Sequence, residues 1–105
     1  MVDILALAVS SRADGAVQCL ELLRWCRASG FATTLGLSNL SFGLPARELV
    51  NATFLCMGAG AGLSSCIANP SSLRVREARA ALAVLMDHDP HAESFIAGYS
   101  EWKQA

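Results

Sequence analysis

The sequence has no run of basic residues, no CxxC pair and no cysteine near either of its two histidines. Eight basic against nine acidic side chains leave a formal net charge of -1. Nothing in that balance would track a phosphate backbone, which argues against nucleic acid as a partner. A zinc centre needs clustered ligands. Cys19, Cys26, Cys56 and Cys66 instead lie singly in apolar surroundings, so they read as buried free thiols of a reducing, cytoplasmic setting, and no metal site is expected. His88 and His91 flank Asp89 and Pro90 and read as part of a solvated turn.

Two further absences bear on the membrane. The apolar start MVDILALAVS carries Asp3 where a secretory signal needs basic residues, and no small-residue cleavage site follows. It reads as a buried strand. No charged residue occurs between Glu48 and Arg74, a length that could span a bilayer. Asn51, Thr53, Ser64 and Ser65 interrupt that segment, however, and neither an aromatic belt nor a basic flank marks its ends. A single-span membrane protein is the weaker reading. Gly58 and Gly62 form a GxxxG that would matter only in lipid.

What is present is a repeated order of strand and helix. VDILALAVS, residues 2–10, is a continuous apolar run of the kind found in strands covered on both faces. Asp14 can cap a helix with Val17, Leu20 and Leu23, joined by Ala16 and Cys19, as its apolar stripe and Gly30 as its stop. FATTLGLS, residues 31–38, is a second strand, and Pro45 suits the first turn of a second helix ending near Gly58 or Gly62. That helix is apolar or small nearly all round, which predicts heavy cover. LSSCIAN, residues 63–69, is a third strand, and Pro70 opens a helix to about Met86 with Val75, Ala78, Leu82 and Leu85 on one side. Asp89 and Pro90 restart a short helix carrying Phe95, Ile96 and Tyr99.

This β-α-β-α-β-α-α pattern predicts an α/β fold with a parallel sheet, all of residues 1–105 forming one domain in which 87–105 are linker and terminal helix. Three strands cannot hide both edges of a sheet, so the chain reads as part of a larger barrel or sheet, or as a homo-oligomer. The glycine-rich GAGAG, residues 58–62, closes a helix and precedes a strand. A dinucleotide loop has the reverse order, so these glycines are read as a tightly packed helix end.

Parallel α/β structures bind ligands at the carboxyl ends of their strands, which places Ser38, Asn39 and Ser41 where function is expected. Placement alone leaves open whether they touch a ligand or only make turns and caps. The stretch TTLGLSNLSFGLPARELVNATFL, followed by AGLSSCIANP, closely resembles the pterin-binding methyltransferase family, which includes the folate-binding barrel of cobalamin-dependent methionine synthases and the methyltetrahydrofolate:corrinoid protein methyltransferases. The resemblance is specific in GLSNLSFGLPAR and IANP and extends more loosely from about Val2 through DHDPHAESFI. It covers nearly the whole chain but only the last three strand-helix units of the family's eight.

The resemblance implies a partial (β/α)8 TIM barrel of three parallel strand-helix units with a short C-terminal helix. It implies an enzyme activity: moving the N5-methyl group of methyltetrahydrofolate to a corrinoid (cobalamin) cobalt, en route to homocysteine or a corrinoid protein. Asn39 matches the family's catalytic asparagine at pterin N5. Arg47 matches an arginine near the folate tail, Phe42 could pack on the aminobenzoyl ring or in the core, Ser38 joins the substrate-binding loop, and Asn69 is a peripheral lining residue. The family's acidic residues at the pterin edge lie on strands earlier than the three matched here, and no corrinoid-binding module is present. The expected partners are therefore folate, the remaining barrel strands or a partner subunit, and a corrinoid-binding domain or protein. Beginning at Met1 in mid-barrel, the chain reads as a fragment, a split subunit or a truncated reading frame, inactive alone. The rival reading is a non-catalytic interaction module that pairs through its open sheet edge.

Overall fold

The computed structural model describes residues 1–5, 8–69 and 71–103, with backbone alone for 100–103. Its elements in chain order are strand β1 (Val2–Ile4), helix α1 (Gly15–Ala28), strand β2 (Thr33–Gly36), a 3-10 turn (Leu37–Asn39), helix α2 (Arg47–Ala61), strand β3 (Ser65–Ile67), helix α3 (Leu73–Leu85), a second 3-10 turn (Pro90–Ala92) and helix α4 (Glu93–Lys103). The strands form one parallel sheet in the order β1-β2-β3. Ile4 lies beside Leu35 and Leu35 beside Cys66, while Asp3, Thr34 and Ser65 form the neighbouring row. The alternating parallel β-α units make an open, unclosed sheet, as in part of a (β/α)8 barrel.

The side-chain period of two decides which row meets the helices. Ile4, Thr33 and Leu35 are buried against the helical layer, whose inner residues include Cys19, Leu20, Leu23 and Cys26 of α1 and Phe54 and Leu55 of α2. The opposite row is bare. Asp3 and Ser65 are exposed, and Leu5 and Ile67 stand 72% and 74% exposed, where a closed barrel would have its interior. In a closed barrel such inward residues fill the lumen.

Several local expectations are corrected. The strands are shorter than their apolar runs, because residues 8–10 serve a loop: the Val9 amide donates to the Leu40 carbonyl at 3.1 Å, and the chain turns back with Ser11 and Arg12 amides on the Ala8 carbonyl. In α1, Val17 is 57% exposed, since Cys19, Leu20, Leu23 and Cys26 set the buried stripe. Asp14 occupies the cap position without capping. Its carboxylate instead accepts from Arg12 Nε and Gln18 Nε2, and the Arg12 hydrogen bond holds it below the usual carboxylate range. Helix α2 starts at Arg47, with Pro45 in the preceding bend and left-handed Ala46 at the cap. Its outer face is uncovered, with Leu49 and Met57 exposed and Cys56 an exposed thiol. On α3, Leu85 is exposed while Val75 is buried. Ser72 caps that helix by accepting from the Val75 amide; the expected opener Pro70 lies outside the described residues. Asp89 starts α4, its carboxylate accepting from the Ser94 and Phe95 amides at 3.0 Å each. Among the described residues no helix is long and apolar enough to cross a membrane.

Of the three glycines at the end of α2, Gly58 and Gly62 pack closely and Gly60 does not. Gly62 has φ +107°, and a Cβ there would fall 2.4 Å from Arg27 Cδ and 2.9 Å from Arg27 Cβ. Gly62→Ala should therefore lower stability by about 1–3 kcal/mol in urea denaturation. Gly60→Ala on the same helix, where a Cβ would meet nothing within 4 Å, should raise it by up to about 1 kcal/mol.

Candidate functional site

The loop from β2 to α2 is held from two sides. On one, Ser10 Oγ donates to the Phe42 carbonyl at 2.7 Å, an approach that leaves only 3.0 Å between Ser10 Oγ and a Cβ placed on Gly43, whose φ is +84°. On the other, Arg47 folds back over the loop. Its Nε donates to Ser41 Oγ at 3.2 Å and its Nη2 to the Ser38 carbonyl at 2.8 Å. Ser41, fully buried, donates in turn to the same Ser38 carbonyl. The guanidinium also lies 5.8 Å over the Phe42 ring, a cation-π geometry. The first turn of α2 has no side-chain cap, so this side chain, and not a cap, ties the helix start to the strand end.

Asn39 ends the 3-10 turn that follows β2. It is exposed, and its carboxamide makes no hydrogen bond among the described residues. Its Nδ2 lies 3.7 Å from where a Cβ of Gly36 would stand. Gly36 shares its face with Thr34, so the amide overlies the bare inner face of the sheet at the carboxyl end of β2. Phe42, 65% exposed, is not a core contact; it lies under Arg47 at the rim.

A cleft of about 290 Å³ opens beside this loop, between the first turns of α2 and α3 and the end of β3. Ser38, Arg47, Asn51, Asn69 and Ser72 line it, together with Glu48. The structure thus brings Ser38, Arg47 and Asn69 together and sets Asn39 and Phe42 outside the cleft. Asn69 Oδ1 accepts from the Ser71 amide at 2.9 Å, the turn chemistry expected of an Asx residue. A larger groove of about 630 Å³ runs between β3 and α3 and includes neither Asn39 nor Arg47. Burial pushes the Cys66 thiol on that groove up, with Arg79 offsetting only part of the rise. Burial likewise raises Cys19, so neither is disposed to be a thiolate nucleophile. No group of three or more metal-ligating side chains occurs among the described residues.

Two residues escaped the reading of the sequence. Asp3 weighed there only against a secretory signal, yet it stands on the inner face beside Thr34; strict alternation from the buried Ile4 would have located it. Asn51 appeared only as a polar interruption. In the structure it is 9% exposed, and its Oδ1 is buried without a partner.

No protein-family model matches the chain. Among curated proteins, it is 34% identical over 70 residues to the methylcorrinoid:tetrahydrofolate methyltransferase of Eubacterium limosum, covering 67% of this chain and 26% of that protein. It is 37% identical over 93 residues to the methionine synthase of Mycobacterium tuberculosis, covering 81% of this chain and 8% of the synthase. The Mycobacterium leprae methionine synthase matches at 36% over 93 residues, with the same two shares. The chain thus spans about a quarter of the first relative and less than a tenth of the other two, and it is homologous to them over much of its own length.

Proposed function

We propose, from the chain's place in a pterin-binding methyltransferase-like superfamily, that it forms one wall of a methyltetrahydrofolate site at the carboxyl end of its sheet. The observation that carries this reading is the Asn39 carboxamide, unpaired and overlying the inner face at the end of β2. Methyl transfer from N5 is a displacement with a poor amine leaving group, so N5 must gain a proton or a strong hydrogen bond as its bond to carbon breaks. A neutral amide supplies the hydrogen bond without a positive charge that would oppose cation formation, and stabilisation that grows toward the transition state is what accelerates the step. Asp3, on the same face, is the acidic side chain available to the N–H donors of a pterin. Phe42 offers a ring at the rim for the aminobenzoyl group, and Ser38 and Arg47 shape the loop between them.

A corrinoid, supplied by another domain or protein, would accept the methyl group; its cobalt provides the nucleophile. The four free cysteines are in keeping with a cytoplasmic setting. Because the facing strands are not among the three observed, binding by the chain itself should be weak, with a dissociation constant on the order of 1 mM, worth about 4 kcal/mol. Titration with tetrahydrofolate, followed through the Asn39 side-chain amide by nitrogen-edited NMR, tests this. A saturable shift at Asn39 is expected. No shift at millimolar ligand would remove the folate reading in favour of an edge-pairing module, and micromolar affinity would overturn the claim that the site is incomplete.

A further inference from the structure

We infer that the groove beneath α3 seats the β1 edge of a second copy of this chain, so that copies join head to tail, β3 of one against β1 of the next. This joint is independent of folate. A crossover helix carries the chain from one parallel strand to the next and so lies over both, as α1 does by packing on β1 and β2. Helix α3 follows β3, the last strand of the sheet, and among the described residues it has no following strand to cover. The space left beneath it is the groove of about 630 Å³, walled by Cys66 and Ala68 on the sheet side and by Leu82, Ala83 and Met86 of α3. A strand edge left open in this way is a template for another strand.

The other end of the sheet carries the matching shape. β1 is the opposite edge strand, and its Val2, on the same side as the buried Ile4, is only half-buried. Above it, Leu22 and Trp25 lie about 100° and 160° round α1 from Leu23, on the side away from Arg27, which packs against α2 at Gly62. Both are exposed, and the Trp25 ring lies 6.2 Å from the ring of Phe31, which is exposed as well. Among the described residues α2 is the helix packed against α1, so this apolar ridge faces away from the protein. Charge agrees with shape. The groove is lined by Arg76, Arg79 and His88 and by no carboxylate among the described residues, while Glu21 stands exposed one turn before Trp25. Two β3 edges brought together would set the groove's cations against each other, and two β1 edges would leave both grooves empty. Head to tail is the arrangement that fills the groove and pairs its charges. Such a contact leaves one edge of each kind free in every dimer, so assembly continues to a ring or a filament.

Size-exclusion chromatography with light scattering, on the chain as it is, should show a mean mass that rises with concentration past that of two chains. Two variants changed at exposed positions separate the ends. Leu22→Glu with Trp25→Glu spoils the ridge, and Arg79→Glu with Met86→Glu spoils the groove. Each alone should keep its circular dichroism and thermal midpoint and be a monomer, its association weakened at least about 100-fold by like charges or a buried carboxylate at the joint. Mixed, the two should form a one-to-one dimer that grows no further, because one intact groove and one intact ridge remain. A ridge variant that still dimerises alone would show grooves meeting each other, and a groove variant that does so would show ridges meeting; either overturns the head-to-tail joint, as does a mixture that stays monomeric. A parent chain that remains a monomer at millimolar concentration would assign the groove to a strand of some other protein and overturn the second copy as its occupant.

Discussion

Asn39→Ala, placed in a barrel completed by further strand-helix units, should lower single-turnover methyl transfer from methyltetrahydrofolate by roughly 10- to 1,000-fold if the proposed role holds, the range seen when one preorganised donor is removed from a developing charge. The KM for the folate should change much less, because the proposed hydrogen bond to N5 would strengthen only as the methyl group leaves, and loss of such an interaction appears in kcat. The fold gives no competing explanation for a loss. Asn39 is exposed and its carboxamide supports no other group among the described residues, so the variant should match the parent in urea denaturation within about 0.5 kcal/mol. A variant with near-normal turnover would take Asn39 out of the mechanism. One with lost turnover and lost stability would point instead to the loop.

How the loop is held explains what could and could not be read beforehand. The polar residues after β2 were legible as a site because strand ends and helix starts converge there in parallel folds. Their division of labour was not. Nothing in the spacing of Ser38, Ser41 and Arg47 reveals that the arginine bonds to the serine hydroxyl and to the Ser38 carbonyl, since the approach depends on the left-handed Ala46 that turns the chain before α2. Arg47 thus clamps the loop whether or not it also meets a ligand. The same limit applied to the long apolar run at the start. Its composition suits a strand to residue 10, but Val9 and Ser10 bond to the loop before α2, a tertiary contact that local propensity does not encode.

The order of elements and their parallel pairing followed from period and punctuation, and the errors were ones of phase. Helix α1 carries apolar residues on two faces, so Val17 fits the stripe as well as Cys26 does until the sheet beneath selects the row of Cys19, Leu20, Leu23 and Cys26. Helix α2 looks apolar all round, yet the sheet and α3 cover only one side of it. Asn51 was hidden for the complementary reason. A lone polar residue in an apolar helix is usually solvent-facing, and only packing shows that this one has its oxygen sealed from water.

Leu23→Ala should lower the stability of the chain by about 2–5 kcal/mol, the cost of a large cavity in a core that cannot collapse fully. Leu23 is 0% exposed, and its Cδ1 reaches to 3.8 Å from a Cβ placed on Gly58 of the neighbouring helix, so the truncation opens the seam of α1 and α2. A small domain has about 5–15 kcal/mol in all, and one whose sheet is covered on a single face has less apolar area to draw on. The variant should therefore be largely unfolded at 37 °C by circular dichroism. Ile67→Ala supplies the contrast. In the chain by itself Ile67 is 74% exposed and its loss should cost no more than about 0.5 kcal/mol. In a completed barrel the same side chain would be enclosed, and the cost should rise to the 2–5 kcal/mol of a buried isoleucine. A cost that stays near zero after completion would mean that the inner row of β3 does not face a closed lumen, and the barrel assignment of the sheet would fall.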